Sequence, residues 1–257
     1  MPESCGFGIV SLIPALGDRC RYLAKTMELD SQEVFDVFQA KEIASVFHAN
    51  TVLTSTQFLR ENALLSRGTI ARHDNWYQTD QYSDPDDKSE GVWFDLFVDT
   101  FDIHKTLRRR NSYGPVLFVL DLEAVRTACT GQIWVTKLNP TKWDGKSHEE
   151  KWFTSIAELN ENFSATNWDH MVVFRNCGGE LPFDNCLQQI ILDDPQFQNA
   201  DGIDYYSMAL GALTHAKFEG AVAMDITKRD CSFGCQCIQN YAGKRATTKK
   251  MFVPELE

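Results

Sequence analysis

Apolar residues recur at helical spacing early in the chain and gather into short continuous runs later. Behind Ser31, read as an N-cap, Val34, Phe35, Val37 and Phe38 form one core-facing set, and the first 40 residues as a whole read as helical. Ile43–Ala49 is a short strand running out at His48. A second helix is opened by Thr54 with Gln57 three positions on, the spacing of a capping box, and its apolar stripe includes Phe58, Leu59 and Leu64. From Ser66 to Glu90 the pattern vanishes into Asp, Gln and Tyr. A stretch of that length without periodicity reads as a functional loop.

Beyond it lie strand candidates Val92–Val98, Pro115–Leu120, Gln132–Leu138, Met171–Phe174, Leu187–Leu192 and Ala221–Ile226, with a short helix capped at Ser155–Glu158. Continuous apolar runs predict strands buried on both faces or paired in packed sheets. Few helices separate the later strands, so a regular βαβ repeat is not expected. The predicted class is α+β with helices mostly N-terminal. With no repeat, low-complexity tract or Pro/Ser-rich linker, one domain is expected over 1–257: a helical N-terminal extension (1–42), a core (43–195) and a C-terminal segment (196–257).

Charge narrows the partners. A net charge of −11 opposes stable, non-specific binding of a polyanion. Local basic clusters at Lys105–Arg110, Lys244-Arg245 and Lys249-Lys250 still allow a steered contact with nucleic acid. No apolar run approaches the roughly 20 residues of a membrane helix. Gly6–Leu16 is apolar but lacks a basic flank and is broken by Pro14 and Gly17, so it reads as folded, and a cytoplasmic protein is expected. The eight cysteines then read as reduced thiols.

P-loop, G-x-G-x-x-G, G-x-S-x-G and H-E-x-x-H motifs are absent, which removes the support for ATP-type, Rossmann, common hydrolase and zinc-protease chemistry. Asp121 and Glu123 come nearest to a metal-nuclease pair, but no lysine follows until Lys137. Cys231, Cys235 and Cys237 offer zinc a ligand trio that His215 would complete. Their spacing differs from C-x-x-C knuckles, and buried thiols are the plainer reading, so no metal is assigned. The six tryptophans are scattered and read as core and loop anchors rather than base-stacking platforms.

A chain-wide order remains. His48 closes an early strand and is followed by Asn50 and Thr51; a helix then leads to Leu64-Leu65-Ser66-Arg67; a long polar loop reaches Gly91-Val92-Trp93; a buried strand begins at Gly114-Pro115-Val116; and Glu180 heads an extended segment behind Gly178-Gly179. From about Val46 to Leu192 this order resembles the ADP-ribosyltransferase superfamily and, within it, the DarT-like toxins that modify nucleic-acid bases. The resemblance implies a split mixed β-sheet, NAD⁺ as co-substrate, and transfer of ADP-ribose to a nucleobase in DNA or RNA by a toxin or anti-phage effector with a neutralising antitoxin. It implies Glu180 and Arg67 as catalytic residues, with His48, Asn50, Thr51, Arg67, Arg72 and Tyr77 on the cofactor. Two departures stand out. The family's His-x-Thr is His-x-Asn here, and the family's loop arginine is missing from Gln78–Asp84, where Arg67, Arg72 or Lys88 would have to substitute. That gap and the acidic charge keep open a protein acceptor, and a non-enzymatic acidic interaction module is the remaining alternative. Taken singly, His48 reads equally as a structural histidine, Glu180 as a solvated turn residue and Arg67 as a helix-capping cation.

Overall fold

The computed structural model describes residues 28–129, 132–184, 186–199 and 202–254. Within them the chain is α+β. It runs β1 (Leu29–Asp30), α1 (Ser31–Ala40), β2 (Ser45–Asn50), α2 (Val52–Arg60), β3 (Ala63–Leu65), α3 (Arg67–Ala71), α4 (Asp84–Ser89), β4 (Leu96–Asp99), α5 (Ile103–Leu107), β5 (Val116–Asp121) and α6 (Glu123–Thr127). It continues through β6 (Gln132–Val135), a 3₁₀ turn at Pro140–Lys142, α7 (His148–Lys151), α8 (Ile156–Asn162), β7 (Met171–Phe174), β8 (Glu180–Pro182), β9 (Leu187–Leu192), α9 (Tyr205–Glu219), β10 (Ile226–Lys228), α10 (Cys237–Gly243) and α11 (Arg245–Phe252). Eight strands form one sheet in the order β1-β6-β7-β4-β2-β5-β9-β10, and β3 pairs with β8 in a two-stranded sheet. Only β9 and β10 pair in parallel among the described strands.

The apolar runs explain the centre. Val116, Phe118 and Leu120 of β5 are solvent-free and pack in the main core with Phe58 and Leu59 of α2 and Leu213 of α9. Removing a Phe or Leu side chain of this kind from water contributes roughly 1.5–3 kcal/mol each. The opposite face carries a separate cluster around Trp143, Trp152, Val92 and Val173. Trp143 and Trp152 are thus core residues as expected, whereas Trp168 is exposed.

β2 joins β5 through six registered pairs, from Ser45↔Asp121 to Asn50↔Val116. On its other side it meets β4 at one pair among the described residues, Phe47↔Asp99, beyond which the two strands part. This is the shortest pairing in the eight-stranded sheet among the described residues.

Several expectations are corrected. Helices are not mostly N-terminal: the longest described one, α9, lies late in the chain. Its apolar residues surround the axis instead of forming a stripe, which hides the 3.6-residue period. α1 is capped by Asp30, whose side chain accepts from the Glu33 amide, so Ser31 is the first helical residue. α2 starts at Val52, not Thr54, because the Thr54 hydroxyl is engaged by Thr51 Oγ1 and by the Thr79 amide. It ends before Asn62, which takes a positive φ of 52°, and Leu64 therefore belongs to β3. The polar stretch 66–90 contains α3 and α4. Residues 92–95 turn into the shorter strand β4, and 221–225 lead into β10. Ser155 caps α8 as expected, but Glu158 reaches back to Thr154; the full capping box is Ser147–Glu150.

The reading of all eight cysteines as thiols is also corrected. Cys129 and Cys177 are joined in a disulfide across 48 residues of sequence, because β6 and β7 lie side by side. In the chain-entropy picture such a loop closure stabilises by about 4 kcal/mol. Cys186, Cys231, Cys235 and Cys237 are free. Cys5, Cys20, the Gly6–Leu16 run and the expected helix before residue 28 lie outside the described residues. No described helix is long and apolar enough to cross a membrane.

Candidate active site

A cleft with a cavity of about 100 Å³ opens where β2 and β4 part. Along β2 the side chains of His48 and Asn50 share one face, as the two-residue period of a strand requires. His48 Nδ1 donates to the carbonyl of Phe97 on β4 at 2.8 Å, which fixes the tautomer and leaves Nε2 with a lone pair toward Asn50 Nδ2, 3.3 Å away. Burial pushes this imidazole below its ordinary pKa, outweighing the Phe97 carbonyl, so the ring is neutral at physiological pH.

Arg67, at the start of α3, is the lining cation of the cleft. Its Nη2 donates to Thr79 O at 3.1 Å and Asp84 Oδ2 at 2.6 Å, its Nε pairs with the same carboxylate, and its guanidinium lies 5.6 Å from the Trp93 ring. Nη1 is buried without a hydrogen-bond partner among the described residues. Gln78 closes the arrangement by donating to the Arg67 carbonyl.

No periodicity or motif marks the acidic side of the cleft in the sequence. Asp87, Asp95 and Asp99 all line it. Burial raises Asp87 and Asp95 to about 6, the second despite Arg175 at 3.3 Å, and raises Asp99 to about 7 with help from the nearby Asp102 charge. Tyr113 and Asn139 complete this wall, and burial holds the Tyr113 hydroxyl above its usual pKa.

The remaining predicted residues divide. Thr51 stands behind the wall, its hydroxyl shared with Thr54 at 3.2 Å and Thr79 at 2.7 Å. Tyr77 and Arg72 are exposed and do not line the cleft; the Arg72 guanidinium covers the Phe94 ring at 3.8 Å. Lys88 lies 4.3 Å from the Trp93 ring. Of the three cations offered in place of a loop arginine, Arg67 is therefore the one in the cleft. Glu180 is exposed at the head of β8 and is not a lining residue, but its register partner Leu65 is. Gly178 and Gly179 were expected to let backbone approach a ligand. Gly179 instead approaches α3: its carbonyl accepts from the Ser66 amide at 2.7 Å and from Thr69 Oγ1 at 3.2 Å, which fixes the base of Glu180 beside Arg67's helix. The nuclease-like pair is committed elsewhere, Asp121 to the Glu123 amide and Gln188, Glu123 to Arg126.

No protein-family model matches the chain, and no curated protein matches it in sequence.

Proposed function

We propose that the chain is a mono-ADP-ribosyltransferase that takes NAD⁺ into the cleft between β2 and β4. The observation that carries the reading is the parting of β2 from β4: a neutral histidine bonded across it to Phe97, with Asn50 and Arg67 on the same cleft. Arg67 supports it with Nη1, unpartnered among the described residues, which offers a donor to the anionic pyrophosphate although Asp84 already pairs with this guanidinium. The Asp95–Asp99 wall suits the cationic nicotinamide ring and the ribose hydroxyls.

In the reaction the ribose C1′–nitrogen bond breaks, nicotinamide leaves as a neutral molecule, and C1′ bonds to the acceptor. The intermediate ribose has oxocarbenium character, which a carboxylate stabilises. Glu180 fills that role and takes the acceptor's proton, which places the scissile bond at the β3–β8 rim of the cleft. Thr51 acts through Thr79, holding the segment on which Gln78 meets Arg67.

The acceptor in this reading is a nucleobase. Arg109 and Arg110 from one basic cluster and Lys244 from another line a common groove with Gln239 and Asn240, giving an otherwise acidic chain a local site for phosphates. Such an activity fits a toxin or anti-phage effector restrained by an antitoxin. Isotope-labelled NAD⁺ incubated with the protein and DNA, RNA or lysate tests it. Label that yields to nuclease supports the nucleobase acceptor, label that yields only to protease selects a protein acceptor, and no label or nicotinamide release removes the enzymatic reading.

A further inference from the structure

Three cysteines close together in sequence and one histidine 127 residues before the first of them converge behind the basic groove. Cys231, Cys235 and Cys237 come from the segment entering α10, and His104 from α5. Their ligand atoms lie within 4.8 Å of one another. Cys231 Sγ is 3.5 Å from Cys237 Sγ and 3.7 Å from His104 Nε2, and Cys235 Sγ is 3.4 Å from the same nitrogen. A tetrahedral zinc with bonds of about 2.3 Å to sulfur and about 2.05 Å to nitrogen has edges of about 3.8 Å between sulfurs and about 3.6 Å between sulfur and nitrogen. The Cys231–Cys237, Cys231–His104 and Cys235–His104 spacings of 3.5, 3.7 and 3.4 Å lie close to those edges, and the Cys231–Cys237 separation is too long for a disulfide.

The surroundings are built for a metal-bound histidine. His104 Nδ1 is 2.7 Å from Asp193 Oδ2 in a fully buried pair, which leaves Nε2 directed at the sulfurs. A carboxylate on the far nitrogen of a ligating imidazole is the usual second layer of a zinc site. Asp193 is itself held by the Tyr241 hydroxyl at 2.6 Å and by Arg229 at 2.8 Å, and Arg229 also pairs with Asp102 at the cap of α5. His215, which the sequence offered as a fourth ligand, is instead exposed on α9 beside Glu219 at 3.4 Å.

We infer that His104, Cys231, Cys235 and Cys237 bind one zinc ion in a structural site. Four protein ligands leave no open position for water or substrate, so the ion ties elements together and takes no part in chemistry. It fastens α5 and the Arg108–Arg110 turn to α10; the Gln236 amide already donates to the Arg108 carbonyl at 2.8 Å. The site thereby sets the spacing of Arg109, Arg110 and Lys244 in the groove. This inference stands on its own geometry and holds whether or not the cleft binds NAD⁺.

Metal analysis of the full chain, purified under reducing conditions without chelator, is expected to give about one zinc per chain. Exchange for Co²⁺ is expected to produce the visible ligand-field bands of a tetrahedral site with thiolate-to-cobalt charge transfer. Cys235→Ser and His104→Gln are expected to lose the metal, and His215→Ala to keep it. Should the first two fail to fold, the wild-type zinc content and cobalt spectrum still decide the matter. A wild-type chain free of zinc that gives no thiolate band with Co²⁺ would overturn the inference. So would zinc retained in full by folded Cys235→Ser, or a Cys231–Cys237 disulfide in peptide maps of the native protein.

Discussion

His48 Nδ1 donates to the Phe97 carbonyl at 2.8 Å just where β2 and β4 cease to pair, so a side chain replaces the ladder at the mouth of the cleft. The bond requires a proton on Nδ1 and the Asn50 contact requires none on Nε2. The ring's lowered pKa gives a sign to the pH response. Between the folded value and the unfolded value of about 6.5, the unfolded chain binds more protons, so this group's contribution to stability falls as pH drops through that window. Chemical denaturation of wild type and His48→Gln at pH 7 and pH 5 checks it: the wild-type advantage is expected to shrink at the lower pH. An advantage that grows on acidification contradicts the assignment.

Asp99 responds in the opposite direction. Its folded pKa is raised to about 7 by burial, well above the usual carboxylate range. The folded state therefore retains the proton longer, and this contribution is full below the unfolded pKa and lost as pH rises through about 7. Integrated from pH 5 to pH 8, the loss is about 3 kcal/mol. Asp99→Asn is expected to remove that slope, so the variant gains on wild type at pH 8 relative to pH 5. Equal slopes in the two proteins would show that Asp99 is ionised throughout.

Much of the fold was legible because its strands are short apolar runs bounded by turn residues. β5 and β7 follow the pattern closely, since both their faces are buried, and β9 shows it in Ile190–Leu192, its Gln188 and Gln189 being exposed. α9 was illegible because its apolar residues encircle it. The 66–90 region hid two helices because their positions are set by tertiary bonds: Ser66 to Gly179, Arg67 to Asp84 and Thr79 to Thr54. The same is true of the site. His48, Asn50 and Arg67 could be named from their order along the chain. The roles of Asp95, Asp99, Tyr113 and His104 depend on partners dozens of residues away.

Gly179 sets the approach of β8 to α3. At φ 78° an alanine Cβ would sit 2.6 Å from Ser66 Oγ and closer still to Thr69 Oγ1. Gly178 has a similar φ of 80° but open space around it. Gly178→Ala is expected to cost the left-handed backbone penalty alone, about 1–2 kcal/mol. Gly179→Ala pays that and displaces Glu180 as well, so it should lose both more stability and transfer activity. Thermal unfolding of the pair decides; equal losses would mean the contact with Ser66 and Thr69 yields freely.

Among the three cations, only Arg67 should matter for cofactor affinity. Arg67→Lys keeps a charge but loses the planar fork that spans Thr79 and Asp84. It is expected to weaken NAD⁺ binding about tenfold, equivalent to about 1.4 kcal/mol. Arg72→Ala, which loses a ring contact outside the cleft, and Lys88→Ala, whose ammonium is not a lining group although its partner Trp93 is, should bind NAD⁺ as wild type does. Calorimetry on the three variants would contradict the placement if Arg72→Ala lost affinity and Arg67→Lys did not.

Nicotinamide release from NAD⁺ by the chain 1–257, in the presence of nucleic acid and beside Glu180→Ala and His48→Ala, tests the transferase reading at its centre. Release by wild type is expected, with a fall of at least about a hundredfold in Glu180→Ala while NAD⁺ binding is retained, and weakened binding in His48→Ala. Undiminished release by folded Glu180→Ala, or no release and no NAD⁺ binding by wild type, would contradict that reading.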